Sequence, residues 1–158
     1  ACILGVVYDP TRDELFLAQQ GKGATLNGTP IHVSATPKLN EALLVTGFAY
    51  DVHTAKDNNL KEFCAFTLHA RGMRRTGTAA IDLCYIACGR FDGFWELQLN
   101  PWDTAAGKVI VEEADGKMTN YQGAPYSIYG NTLIATNGRI HQEMIEVLRE
   151  TRSTQKLT

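Results

Sequence analysis

Residues 71–107 read RGMRRTGTAAIDLCYIACGRFDGFWELQLNPWDTAAG, and the order of patterns in this stretch decides the fold. Arg71 to Arg75 predicts a short strand. Thr76-Gly77-Thr78 then leads into Ala79 to Cys88, which is apolar nearly all round and therefore predicted to be a buried helix. Gly89 is its natural C-terminal stop. Phe91 to Leu97 predicts a strand, with Phe91, Trp95 and Leu97 on one face and Phe94 and Glu96 on the other. Asn100-Pro101 supplies an N-cap and an N1 proline for a further helix, which runs to about Asp115 before Gly116 stops it. Lys117 to Asn120 predicts the next strand. Strand, helix, strand, helix, strand is the signature of an α/β layer with parallel connections.

Upstream the pattern is antiparallel. Residues 3–8 are rich in β-branched and apolar residues and end at Asp9-Pro10, a turn signal, and Glu14 to Gln19 reads as the returning strand. Asn27-Gly28 is a strong hairpin signal, so residues 1–33 predict a meander. Asn40 to Gly47 adds a strand, and Leu60, Phe63, Cys64 and Phe66 fit an amphipathic helix within Asp57 to Ala70. Downstream, Thr132 to Thr136 predicts a strand and Arg139 to Arg149 a final helix, with residues 151–158 a polar, frayed tail.

Composition limits the function. With 17 acidic and 15 basic side chains the formal charge is -2, so no cationic field calls for nucleic acid. No apolar run approaches the ~18 residues of an ordinary membrane helix. Four cysteines, Cys2, Cys64, Cys84 and Cys88, are too sparse for a disulfide framework and are expected to be buried reduced thiols of a cytoplasmic-type protein. The four histidines are scattered, with no paired metal-binding spacing.

In an open α/β sheet, sites form where strands end and helices begin. Two such junctions stand out. At Thr76-Gly77-Thr78-Ala79, small residues let backbone amides approach a ligand, although Thr76 capping the helix would explain the same residues. At Glu96 to Gly107, one carboxylate ends a strand and Asp103 sits in a first helical turn. There Asp103 favours the helix dipole by ~0.3–1 kcal/mol with no function needed. It could equally hold a hard cation such as Mg²⁺.

Taken with the upstream Gly77-Thr78-Ala79, the run Trp102-Asp103-x-x-Ala106-Gly107 resembles the inositol monophosphatase family of Mg²⁺-dependent, often lithium-sensitive phosphatases. The likeness extends more loosely through Gly5 to Pro10, Gly21 to Ala24 and Asn27-Gly28. Leu44-Val45-Thr46-Gly47-Phe48 and Pro101-Trp102-Asp103 look like bacterial, cyanobacterial or plastid members. The resemblance implies an α/β fold (α+β overall), the C-terminal part of a layered αβαβα architecture: a mixed sheet flanked by helices, with leading antiparallel strands from a truncated first domain. The expected division is 1–35 as remnant strands of that domain, 36–150 as the α/β domain and 151–158 as tail.

By resemblance, Asp103 is a metal ligand, and Gly77, Thr78, Ala79 and Glu96 contact the hydroxyl-bearing ring of the substrate. Family members also carry an upstream Glu and an Asp-Pro-x-Asp-Gly-Thr motif that hold the remaining metal positions. Here Asp9-Pro10-Thr11-Arg12-Asp13 has its second Asp one place too late and no Gly-Thr after it, so it reads as a turn. The resemblance therefore implies part of a Mg²⁺-dependent phosphate monoester hydrolase with no catalytic group of its own, expected to be inactive alone. Its substrate would be a phosphorylated polyol, by default myo-inositol 1-phosphate, with histidinol phosphate or another sugar or nucleotide phosphate as alternatives. A non-catalytic assembly or binding module is the competing class. Glu96 favours a neutral polyol, because a carboxylate repels a second anionic group. A dimer, or pairing with the absent N-terminal half, is expected to cover residues 3–19, and the location is expected to be cytoplasmic or plastid stroma.

Overall fold

The computed structural model describes residues 2–153. Strands β1 (Leu4–Asp9), β2 (Glu14–Gln19), β3 (Ala24–Leu26) and β4 (Thr29–Ile31) form an antiparallel sheet in sequence order. The β3–β4 hairpin turns at Asn27 and Gly28, both at positive φ (50° and 79°), the conformation that Asn-Gly adopts most readily. The Asn27 side chain also accepts the Leu15 N–H and donates to the Asp13 carbonyl, which ties the hairpin to the preceding turn.

A 3₁₀ turn at Leu39–Glu41 precedes β5 (Leu43–Thr46), which is therefore shorter than expected. Helix α1 spans Leu60–His69, starting later than the apolar spacing suggested because Asn59 is left-handed (φ 67°). Strand β6 (Gly72–Arg74), α2 (Ala79–Ala87), β7 (Gly93–Leu97), α3 (Pro101–Glu113), β8 (Lys117–Thr119), β9 (Thr132–Thr136) and α4 (His141–Ser153) complete the chain. The second sheet is mixed, in the order β6-β5-β7-β9-β8. Strands β6 and β7 both run parallel to β5, so the β6-α2-β7 crossover passes over β5, as the alternation of elements required. Strand β9 is antiparallel to both β7 and β8.

Four layers result: the first sheet, then α2 with α3, then the second sheet, then α1 with α4. One core joins Phe16, Ala18 and Ala24 of the first sheet to Leu83, Ile86 and Ile110 of the helices and Phe94 and Leu133 of the second sheet. The first sheet thus shares its core with the helices. A second core lies beneath α1 and α4, built on Phe66, Trp95, Ile134 and Met144. Between β8, β9 and α4, His141 is buried with both ring nitrogens bonded, to the Thr119 and Thr136 hydroxyls at 2.8 and 2.9 Å.

Three expectations need correction. Cys84 is buried, but Cys2 and Cys64 are exposed. The helix α4 continues through Ser153, so 151–153 are not tail; the rest of the expected tail, 154–158, lies outside the described residues. The α3 stop uses Asp115 at φ 67° rather than Gly116, because the left-handed residue falls one position earlier.

Candidate active site

Strands β6, β5 and β7 lie side by side and parallel, so their carboxyl ends share one edge of the sheet. A cavity of about 350 Å³ sits there, lined just past β5 by Gly47 and Phe48, and from the β6–α2 turn and the start of α2 by Arg75 and Gly77 to Ala80. Asp82 of α2 and, from the β7–α3 connection, Glu96 to Asn100, Trp102 and Asp103 complete the lining. The five positions singled out in the sequence, Gly77, Thr78, Ala79, Glu96 and Asp103, all border it. A larger groove of about 600 Å³, lined by Tyr121, Ile145, Leu148, Arg149 and Arg152, lies elsewhere and gathers no carboxylates.

Glu96 is 8% exposed, near the end of the fully buried β7. Its carboxylate rests on the backbone of Gly47, where an added Cβ would lie 2.3–2.6 Å from the carboxylate atoms. Only glycine leaves room for that contact. Burial, then the charges of Asp82 and Asp103, push the Glu96 carboxyl up to about 7, against the opposing pull of Arg75.

Asp82, not singled out by the sequence reading, is 1% exposed and also faces the cavity. It accepts a hydrogen bond from the Thr76 hydroxyl, yet burial still pushes its carboxyl up to about 6. One signal for it was present: a charged side chain inside a helix that is otherwise apolar all round. The same bond corrects the expected role of Thr76. The N-cap of α2 is Thr78, whose side chain makes no capping bond, while Thr76 serves Asp82.

Helix α3 starts as its Asn-Pro sequence requires, with Asn100 the N-cap residue and Asp103 the N3 partner of a capping box. Asp103 Oδ2 accepts the Asn100 N–H at 2.9 Å. Gln98, at φ 62°, turns the chain between β7 and α3 and is anchored by its N–H to the Asn131 carbonyl at 2.8 Å. The arrangement gathers three carboxylates, two of them buried, at the open N-termini of two helices. Such a pocket suits a ligand rich in hydroxyl donors, with a negative group directed at the helix ends. Among the described residues no three His, Cys, Asp or Glu side chains converge as a metal site.

The comparisons with known proteins agree in one direction. The family model described as "Inositol monophosphatase family" matches residues 1–153. An inositol-1-monophosphatase of Synechocystis is 53% identical over 148 residues, covering 94% of this chain and 52% of that protein. The chloroplastic phosphatase IMPL1 of Arabidopsis thaliana is 44% identical over 131 residues, covering 83% of this chain and 35% of that protein. Among solved structures, an inositol monophosphatase from Anabaena superposes with a TM-score of 0.91 at 50% identity, covering 93% of this chain and 58% of that one. The chain thus spans about half the length, or less, of the curated relatives it matches.

Proposed function

The chain belongs to the inositol monophosphatase family, and on that premise we propose that it supplies the substrate-facing part of a metal-assisted phosphate monoester hydrolase acting on a phosphorylated polyol. The observation that carries the reading is the meeting of Glu96, Asp103 and the Gly77–Ala79 turn at one cavity on the carboxyl ends of three parallel strands.

The donor set bears on the metal. Asp103 uses Oδ2 for the helix cap, which leaves Oδ1, a hard oxygen donor of the kind Mg²⁺ prefers. A single carboxylate fits one ligand of such a cation, whose other positions water and phosphate oxygens would share with further protein oxygens. When bound, such a cation would activate water and stabilise the leaving oxygen. The chain's own residues do the rest of the positioning. The uncapped amides at the start of α2 and the Gly77-Thr78-Ala79 backbone meet the substrate, and Glu96 accepts hydrogen bonds from ring hydroxyls. Three carboxylates around the cavity repel a second phosphate, which favours monophosphates of neutral polyols over bisphosphates. An ammonium-bearing substrate would also pair with Glu96, so histidinol phosphate stays in the comparison.

Phosphate release by the complete protein, measured with and without Mg²⁺, tests the reading. The panel is myo-inositol 1-phosphate, histidinol phosphate, fructose bisphosphate and a 3′-phosphoadenosine compound. The expected order places inositol 1-phosphate first and the bisphosphate last. Mg²⁺-independent turnover, or a preference for the bisphosphate, would defeat it.

A further inference from the structure

We propose that Asn59 is a positioning residue for the cavity: its buried carboxamide clamps the end of β5 to β7, so that the Gly47 backbone fixes the place of the Glu96 carboxylate. The inference rests on the reading of Glu96 as the acceptor of substrate hydroxyls.

Asn59 is the N-cap residue of α1, yet its side chain makes no bond to that helix. It is 1% exposed and turned inward. Nδ2 donates to the Thr46 hydroxyl at 2.9 Å and to the Gly47 carbonyl at 2.8 Å, while Oδ1 accepts the Trp95 indole N–H at 2.6 Å. An indole nitrogen can only donate, so Oδ1 must face Trp95 and the amide orientation is fixed. The Thr46 hydroxyl in turn donates to the Trp95 carbonyl at 2.5 Å. Thr46 immediately precedes Gly47, and Trp95 immediately precedes Glu96. Every partner of this carboxamide is therefore Gly47 itself or an immediate neighbour of the Gly47–Glu96 contact.

The backbone of Asn59 adds to the case. At φ 67° it takes the left-handed conformation that, glycine aside, asparagine adopts most readily, so an asparagine suits the backbone here as well as the carboxamide bonds. An asparagine that only opened a helix would bond to the helix N–H groups. This one bonds across two strands instead. Its removal would orphan the buried indole N–H and release the Gly47 carbonyl. The floor beneath Glu96 would then be free to shift, and the contact allows little shift, because the space at Gly47 is already filled by the carboxylate.

The test is a double-mutant cycle in the complete protein, using KM and kcat for myo-inositol 1-phosphate. Asn59→Ala is expected to raise KM about tenfold and to leave kcat within about twofold. Gly47→Ala, which pushes on the carboxylate directly, is expected to do the same. In a Glu96→Gln background, Asn59→Ala should add less than about twofold to KM. A full, independent effect in that background overturns the inference, because Asn59 would then act through general structure. The carboxyl carbon NMR signal of Glu96 reads the same geometry with no substrate present and should move in Asn59→Ala. A signal that stays in place overturns the inference whatever the site binds. If Glu96→Gln itself leaves KM unchanged, the ligand reading of Glu96 fails and the NMR signal alone decides the role of Asn59. Should Asn59→Ala not fold, Trp95→Phe, which deletes the indole donor together with part of the buried ring, is judged by the same two measurements.

Discussion

Glu96 and Asp103 sit in one cavity but stand in opposite relation to the fold. Glu96 is buried without a hydrogen-bond donor among the described residues, and its carboxyl titrates near 7 rather than in the usual range. Between the ordinary glutamate pKa and that value the folded state holds more protons than the unfolded state, so stability falls as pH rises through this window. The loss is complete above pH 7. Glu96→Gln is therefore expected to stabilise the protein by about 1–3 kcal/mol at pH 8, with the gain vanishing near pH 4. His141 works in the opposite direction: burial holds it down at about 4, so its contribution is lost as pH falls below 6.5. Urea midpoints of variant and wild type, compared at each pH, cancel the His141 contribution and isolate Glu96. A variant no more stable than wild type at pH 8 would show that the carboxylate is better solvated than its burial indicates. Asp103 is half-exposed and serves its helix. Asp103→Asn keeps an acceptor for the Asn100 N–H and should cost under ~1 kcal/mol of stability. In the complete protein it should lower kcat more than about a hundredfold and raise the Mg²⁺ needed for half-activity. Near-normal turnover at low Mg²⁺ would remove Asp103 from the proposed metal site.

Helix α3 carries Asp103, and the small residues of its motif explain how the helix is held. Gly107 meets Leu83 of α2 so closely that an added Cβ would lie 2.5 Å from Leu83 Cδ1 and 2.8 Å from its Cβ. On the neighbouring face, a Cβ on Gly5 of β1 would lie 2.5 Å from the Ala106 carbonyl. The helix is thus wedged between β1 and α2 at one level, a turn past Asp103. Gly107→Ala is expected to destabilise by about 1–3 kcal/mol through overpacking, read as a lowered urea midpoint with an unchanged m-value. A midpoint at or above wild type would mean that Leu83 can move aside freely. These elements also mark what the sequence could and could not tell. Strands, helices and the Asn-Gly hairpin were readable because each depends on neighbours a few residues away, and Gly77, Glu96 and Asp103 lie within such local patterns. Gly47, Asn59 and Asp82 were not read as site residues. The first two reach the site because β5 inserts between β6 and β7, a pairing across about 50 residues that no local pattern encodes. The start of α1 was misplaced for a related reason: Asn59 leaves helical geometry to satisfy Trp95, a tertiary demand that overrides the apolar spacing.

The four-layer molecule leaves one face of its first sheet without cover among the described residues. Leu4, Val6 and Tyr8 of β1 and Leu15 and Leu17 of β2 point the same way and are between 39% and 56% exposed. Their register pairs Val6 with Leu17 and Tyr8 with Leu15, so the side chains form one continuous apolar patch. Beyond them β1 is an edge strand with its outer hydrogen-bonding groups unpaired within the sheet. An apolar face joined to an open edge is the combination that natural sheets blunt with charge, proline or a covering element, and here β1 carries none of these before Asp9. The opposite face of the same strands is filled by Phe16 and Ala18 in the core, so a slip that hides the patch would expose the core. The remaining route is association. This 158-residue chain, expressed by itself, is expected to pair with a second copy through β1 and the Val6–Leu17 face. Light scattering coupled to size exclusion should then give a mass above the 17.4 kDa of one chain, rising with concentration. Val6→Lys with Leu17→Lys places two charges at the centre of the patch and should restore the single-chain mass without moving the urea midpoint by more than about 0.5 kcal/mol, since both side chains are already half in water. A monomer at high concentration in the unaltered chain would mean that the exposed apolar area is too small to drive pairing against the loss of rotational and translational freedom.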